Sequence, residues 1–352
     1  MKLTRSQLIA LIVLGVLTIG VYGCLAGILA RNSRQIASVL TYSSPTPLPS
    51  ASMTEIPSPS PTPLPPPTPT STPIAPQTRY DLQVARAPQE PTLRLQRGHA
   101  YIKLGAYTYA IEDFNVAINL DATLAEAYLG RGEAHFRLKE WSAALVDFEQ
   151  ALTLNPDLAD AHAWRGYLLS ERGEYEAALE ALRQAVALDE SNPGKHILLA
   201  QALLRSGSPA EARIEYTAAL SLEVRSVKAY VGRAMACAEQ GDFDAAQADL
   251  NSALDIAPYD PVALNGQAWF YAWYRRDHLA EAEQLAQRAV AGARDDLERA
   301  RCLDTLGWVY YRQGRYEEAA TTLEEAAGLA TIEGDVVYSE IAEHLEEVRM
   351  AQ

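Results

Sequence analysis

The sequence predicts an all-α fold, a solenoid of stacked helix-turn-helix units running from about residue 91 to the C-terminus. Three observations predict it. Alanine recurs with a 34-residue period: Ala110, Ala144, Ala178, Ala212 and Ala246 are each one period apart, as are Ala117, Ala151, Ala185, Ala219 and Ala253. Within each period, apolar residues fall at three- and four-residue spacing in two blocks, the signature of two amphipathic helices. A glycine divides the blocks at Gly105, Gly173, Gly207, Gly241 and Gly314, where the chain must turn between helices.

The composition is that of a folded protein, with 48% apolar and 21% charged residues among 352. The formal net charge is −15, which argues against a nucleic-acid partner, because phosphate binding needs clustered Lys and Arg. Three cysteines in so long a chain exclude a disulfide scaffold.

The elements before the repeats are of a different kind. A short tail, residues 1–7, precedes an uncharged run of 23 residues, Leu8 to Ala30. As a helix this run would be ~34 Å long, enough to cross a bilayer core of about 30 Å. It exceeds the ~7–15 apolar residues of a cleaved signal peptide, so residues 8–30 are expected to be an uncleaved transmembrane anchor. Val21-Tyr22-Gly23-Cys24 resembles a lipidation site, and Cys24 acylation is the rival reading, although the apolar run continues past it. Lys2 and Arg5 flank one side and Arg31 and Arg34 the other, so flanking charge barely sets the orientation.

Residues 31–79 are expected to be a disordered linker. Between Thr41 and Thr78 there are 13 Pro, 7 Ser and 8 Thr, and Glu55 is the only charge. Such a stretch can neither build a hydrogen-bond ladder nor bury a core, and behaves as a polyproline-like spacer of ~3.1 Å per residue. Ser/Thr-Pro stalks are common outside the cell. That favours a single-pass membrane protein with an inside N-terminus and an extracytoplasmic repeat domain, with a cytoplasmic linker as the alternative.

From Pro91 the units follow one another: 91–124, 125–158, 159–192, 193–226, 227–260, 261–299 and 300–333. The sixth carries about five extra residues, split between the Arg275–His278 turn and a Gly292–Glu298 loop. Ser208-Pro209 and Asp260-Pro261 mark helix starts, a capping residue followed by Pro at the first helical position. Small residues at Gly98, Gly132, Gly166, Ala200, Ala234, Ala268 and Gly307 stand where two helix axes approach. An aromatic residue follows most turns: Tyr107, Trp141, Tyr175, Phe243 and Tyr316. Residues 334–352 are expected to form a capping helix, polar on the face of Glu340, Glu343, Glu346 and Glu347.

These units resemble tetratricopeptide repeats. The second is the cleanest, with Tyr128, Gly132, His135, Trp141, Ala144, Phe148, Ala151 and Pro156. Lys139 stands where the turn glycine is expected, and the closing proline is present only at Pro156 and Pro258. The resemblance covers residues 91–333 and implies a right-handed α-solenoid whose first helices line a concave groove that binds a protein or peptide.

A polar pattern also links positions 7 and 23 of the units. Position 7 reads Arg97, Arg131, Arg165, Leu199, Arg233, Gln267, Leu306, then Glu340; position 23 reads Asp113, Asp147, Ala181, Glu215, Asp249, Leu285, Thr322. Pairing each position 23 with position 7 of the following unit matches polar with polar and apolar with apolar at every step, which predicts ion pairs such as Asp113–Arg131, Asp147–Arg165 and Glu215–Arg233 between units.

No arrangement of residues carries enzyme chemistry, and no catalytic, cofactor or metal site is expected. Cys237 fits a core slot. His162 and His196 share position 4 of successive units but have no further ligand at that spacing. Gly130-Arg131-Gly132 follows no strand and lacks the third glycine of a dinucleotide loop.

The resemblance places positions 2, 5, 9, 12 and 13 of each unit in the groove. Early in the array these are apolar: Leu95, Ile102, Leu129 and Phe136. Late in the array they give Trp269, Trp273, Trp308 and Tyr311, with Asn265, Asp304, Arg301 and Arg312 beside them. Clustered aromatics with Arg are the composition of binding hot spots, so these eight are the candidate protein-binding residues, unless the rings simply pack on one another. Residues 80–352 carry a net charge of −19, yet the groove positions sum to about zero, so acid is placed on the convex face. The expected function is a membrane-anchored, non-enzymatic scaffold for protein–protein interaction. The alternative is a structural spacer or self-assembly module of the cell envelope.

Overall fold

The computed structural model describes residues 78–330 and 336–351. The N-terminal tail, the apolar run 8–30 with Cys24, and the Pro-rich segment up to residue 77 lie outside the described residues. Among the described residues no helix is long and apolar enough to cross a membrane.

Everything regular among the described residues is helical. A short helix α1 (Asp81–Arg86) leads into seven helix pairs: α2 (Pro91–Lys103) with α3 (Tyr107–Leu120), α4 (Ala125–Arg137) with α5 (Trp141–Leu154), α6 (Ala159–Glu171) with α7 (Tyr175–Leu188), α8 (Pro193–Arg205) with α9 (Pro209–Leu222), α10 (Val227–Glu239) with α11 (Phe243–Ile256), α12 (Pro261–Tyr274) with α13 (Leu279–Gly292), and α14 (Asp296–Arg312) with α15 (Tyr316–Leu329). Helix α16 (Val336–Ala351) follows. Each first helix packs on its own second helix, each second helix packs on the next first helix, and successive first helices touch. The fold is therefore an α-solenoid with a continuous core.

The small residues account for the tight pairing inside a unit. A Cβ on Gly98 would come 2.6 Å from Phe114, one on Gly132 2.6 Å from Phe148, and one on Gly166 2.6 Å from Leu182. Phe114, fully buried, is also met from the next unit by Gly130, whose Cβ would lie 2.5 Å away. The periodic alanines, such as Ala110, Ala117, Ala144 and Ala151, have no exposed surface.

The turns need a left-handed residue. Gly105, Gly173, Gly207, Gly241 and Gly314 all have φ between 71° and 79°, and Lys139, the substitute in the second unit, is held at φ 63°. Asp260 caps α12 through its side chain, accepting from the Val262 and Ala263 N–H groups, whereas the Ser208 hydroxyl makes no capping bond. The spacing places a loop at Gly292–Glu298, but α14 already starts at Asp296. Asp295 Oδ1 accepts from Glu298 N at 2.8 Å and Glu298 reaches back to Arg294 N at 2.7 Å, a reciprocal cap that extends the helix. Helix α16 seats Ile341, Leu345 and Val348 against the last unit and leaves Glu343, Glu346 and Glu347 exposed.

The polar ladder is real but runs inside units, not between them. Arg97 meets Asp113 at 2.6 and 2.8 Å, Arg131 meets Asp147 at 2.9 and 2.6 Å, and Arg233 meets Asp249 at 2.7 and 2.7 Å, each as a two-bond fork. The expected pairs Asp113–Arg131, Asp147–Arg165 and Glu215–Arg233 are thus overturned. The close approach at position 8 brings positions 7 and 23 of one unit face to face. The remaining guanidinium nitrogen reaches to the preceding element: Arg131 Nη1 donates to Asn115 Oδ1 of the first unit at 2.6 Å, and Arg97 Nη1 to Asp81 of α1 at 3.4 Å. Glu215 accepts instead from His196 Nδ1 at 2.7 Å, and Gln267 pairs with Gln247.

Candidate functional site

The candidate residues come from the first helices of the last two units. Trp269 and Trp273 lie on α12 and Trp308 and Tyr311 on α14. The structure brings these four into one chain of rings. Trp269 is 6.4 Å from Trp273, Trp273 stacks on Trp308 at 4.7 Å and 17°, and Tyr311 lies 4.9 Å from Trp308. A fifth ring, His344 of α16, lies 4.6 Å from Trp308.

Packing consumes part of this surface. Trp308 is 3% exposed, so it belongs to the core of the ring stack. Its Nε1 has no hydrogen-bond partner. Trp269, Trp273 and Tyr311 are half-buried. The rings therefore both stack on one another and keep three members in partial contact with solvent.

The four polar candidates separate. Asp304 accepts from His344 Nδ1 at 2.8 Å and belongs to the ring stack. Burial alone would lower the His344 pKa, but that hydrogen bond and the fields of Asp304, Glu340 and Glu347 hold it above its ordinary value. Asn265 has a buried Oδ1 without a partner. Arg312, half-buried at the end of α14, forms no ion pair among the described residues; burial and the neighbouring Arg276 lower its pKa. Arg301 points elsewhere and contacts Glu171 at 3.4 Å.

Two features were not apparent from the spacing. Early in the array, Phe136 lies 5.2 Å from Trp164 and 5.5 Å from Tyr167, a second ring cluster with Arg137 over Trp164. Phe136 is at one of the expected groove positions, but Trp164 sits at position 6, which those positions omit. Glu171, Arg205 and Arg301, from three different units, converge, although their spacing along the chain treats them as separate.

The two described cysteines are buried: Cys237 is 1% and Cys302 2% exposed, and burial pushes the Cys302 thiol up to about 12. His162 Nε2 bonds to the Pro156 carbonyl, while His196 bonds to Glu215 and the Glu190 carbonyl, so the two do not converge. Among the described residues no three metal-binding side chains cluster.

This arrangement defines a class, a helical-repeat solenoid whose late first helices carry a chain of stacked rings. Tetratricopeptide repeat models match residues 125–158, 148–180, 197–261 and 300–330, and a model described as TPR repeat matches 98–139 and 166–207. Together these cover more than half the chain, which belongs to the tetratricopeptide repeat family. No curated protein matches it. Among solved structures it is similar to a tetratricopeptide repeat protein from Parabacteroides merdae, with 17% identity over 74% of this chain and 98% of that one, at a TM-score of 0.59. It is also similar to YrrB, described as a TPR protein with an unusual peptide-binding site (20% identity, 54% and 98% covered, TM-score 0.45). A third is MamA from Desulfovibrio magneticus (17% identity, 48% and 95% covered, TM-score 0.44). At 17% identity the likeness to the Parabacteroides protein speaks for the fold alone.

Proposed function

We propose that this protein is a membrane-anchored, non-enzymatic scaffold that holds a protein or peptide partner in the concave groove of its repeats. The apolar run 8–30 supports the anchor, and the Pro-rich segment supports display of the repeats at a distance from the bilayer, on its outer side. The observation that carries the groove reading is a set of unmet demands beside the ring chain. Asn265 Oδ1 is buried with no donor, Arg312 forms no contact ion pair among the described residues, and Trp269, Trp273 and Tyr311 keep partial exposure. A buried acceptor without a donor is costly, and a bound backbone N–H would satisfy it. Aromatics with Arg are what hot spots are made of.

The test is affinity capture with the full chain from solubilised membranes. Trp269→Ala with Trp273→Ala should weaken partner recovery by about tenfold or more, on the order of 1.4 kcal/mol. Undiminished recovery ends the groove reading. Trp308→Ala is a poor probe, because Trp308 is core and its loss acts through stability. Growth of particle size with concentration in light scattering, with no captured partner, would favour the spacer or self-assembly role instead.

A further inference from the structure

The late groove closes on itself. Glu171 ends α6 in the third unit and is 2% exposed. Arg205, ending α8 in the next unit, donates to its Oε1 at 2.9 Å. Arg301, at the start of α14 and 130 residues away along the chain, places Nη2 3.4 Å from both carboxylate oxygens. Helix α16 also touches α6. Glu340 on α16 lies within the fields of Arg205 and Arg301, and Tyr167 stands beside the same cluster, its hydroxyl pushed up to about 12 by burial and by Glu171.

We propose that Glu171, Arg205 and Arg301 form a latch across the groove that holds the seventh unit and α16 against the third. The two arms of the latch are unequal, and this is what lets it open. Arg205 is 20% exposed and binds at close range, while Arg301 is 42% exposed and binds at longer range. When Arg301 leaves, Glu171 keeps Arg205, so no buried charge is orphaned. Arg301 then returns to water, where a guanidinium is well solvated. Opening thus breaks the outer pair and leaves every unit's own core intact. Glu171 is buried but the Arg301 side of the pair faces solvent, so salt screens this outer arm in part and closure weakens as ionic strength rises. The latch decides whether the late groove, with its ring chain, admits a ligand. The latch itself rests on the ion cluster; only its effect on ligand entry rests on the proposed groove.

The test measures distance and needs no ligand, so it can fail while the groove reading stands, or the reverse. Spin labels go on Arg172→Cys and Glu343→Cys in the full detergent-solubilised chain carrying Cys24→Ser; both positions are exposed, and Cys237 and Cys302 are buried. The latched chain gives one short distance by electron–electron double resonance. Arg301→Gln should lengthen it by about 8–10 Å, one helix spacing, with helical circular dichroism unchanged. Salt at ~1 M should lengthen the wild-type distance and leave the variant where it is. Arg301→Lys should keep the short distance. An unchanged distance in Arg301→Gln overturns the latch, as does Arg301→Lys opening as far as Arg301→Gln.

Discussion

The second and third units share one frame and fail it in opposite places. The second has the full polar pair, Arg131 forked onto Asp147, but puts Lys139 at φ 63° where its turn needs a left-handed residue. The third has the right turn, Gly173 at φ 76°, but faces Arg165 with Ala181. Arg165 makes no ion pair among the described residues, and its buried Nε has no partner. Both units keep the pinch between helices, Gly132 on Phe148 and Gly166 on Leu182. The comparison separates what the fold requires from what it tolerates: the close approach is common to both, while each of the two does without either the ion pair or the turn glycine.

The largest effect should come from breaking the pair. Asp147 is 3% exposed, so Asp147→Ala strands a half-buried guanidinium and should cost about 3 kcal/mol in urea unfolding. Adding Arg131→Leu should recover more than half of that loss. If the double variant is no better than the single, the pair is not what stabilises the unit. Next comes the shared pinch. A Cβ at Gly132 would also sit 3.2 Å from the Ala144 carbonyl, so Gly132→Ala should cost about 1–3 kcal/mol through overpacking, read as a lowered thermal midpoint. A neutral result would show that the helices separate freely there. Giving the third unit what it lacks should help: Arg165→Leu should gain about 1 kcal/mol by removing an unsatisfied buried donor. A loss of stability would mean that Arg165 has a solvent role. The smallest change is at the turn, where Lys139→Gly should gain about 0.5–1 kcal/mol by relieving a left-handed side chain. An unchanged urea midpoint would show the strain to be negligible.

The repeating frame was legible because each of its marks has a local cause. A turn glycine is needed wherever φ is positive, and a small residue wherever two axes meet, so both recur in register. The ladder was misassigned for a related reason. Matching polar with polar across units makes every pair agree on paper, but Arg131 chooses by distance, and the pinch at Gly132 puts Asp147 nearest. The mismatches this leaves are met in other ways, with Glu215 taking His196 and Arg165 left unmatched. The ring residues were found from their positions and their packing on one another was the stated alternative; what the spacing did not give is that three rings stay partly exposed while Trp308 is covered and His344 packs on it. Position in a unit says which face a side chain is on and nothing of how deeply the next helix covers it.

By itself, the sequence determined the helix pairs, their period and the face each residue takes, because these follow from spacing along a single helix or a single turn. Only the tertiary structure decided which charges pair, which tryptophan is core, and that Glu171 meets Arg301. The charge pairs follow from the close approach inside each unit, while the covered tryptophan and the Glu171–Arg301 contact follow from how successive units stack, which brings residues distant in sequence together.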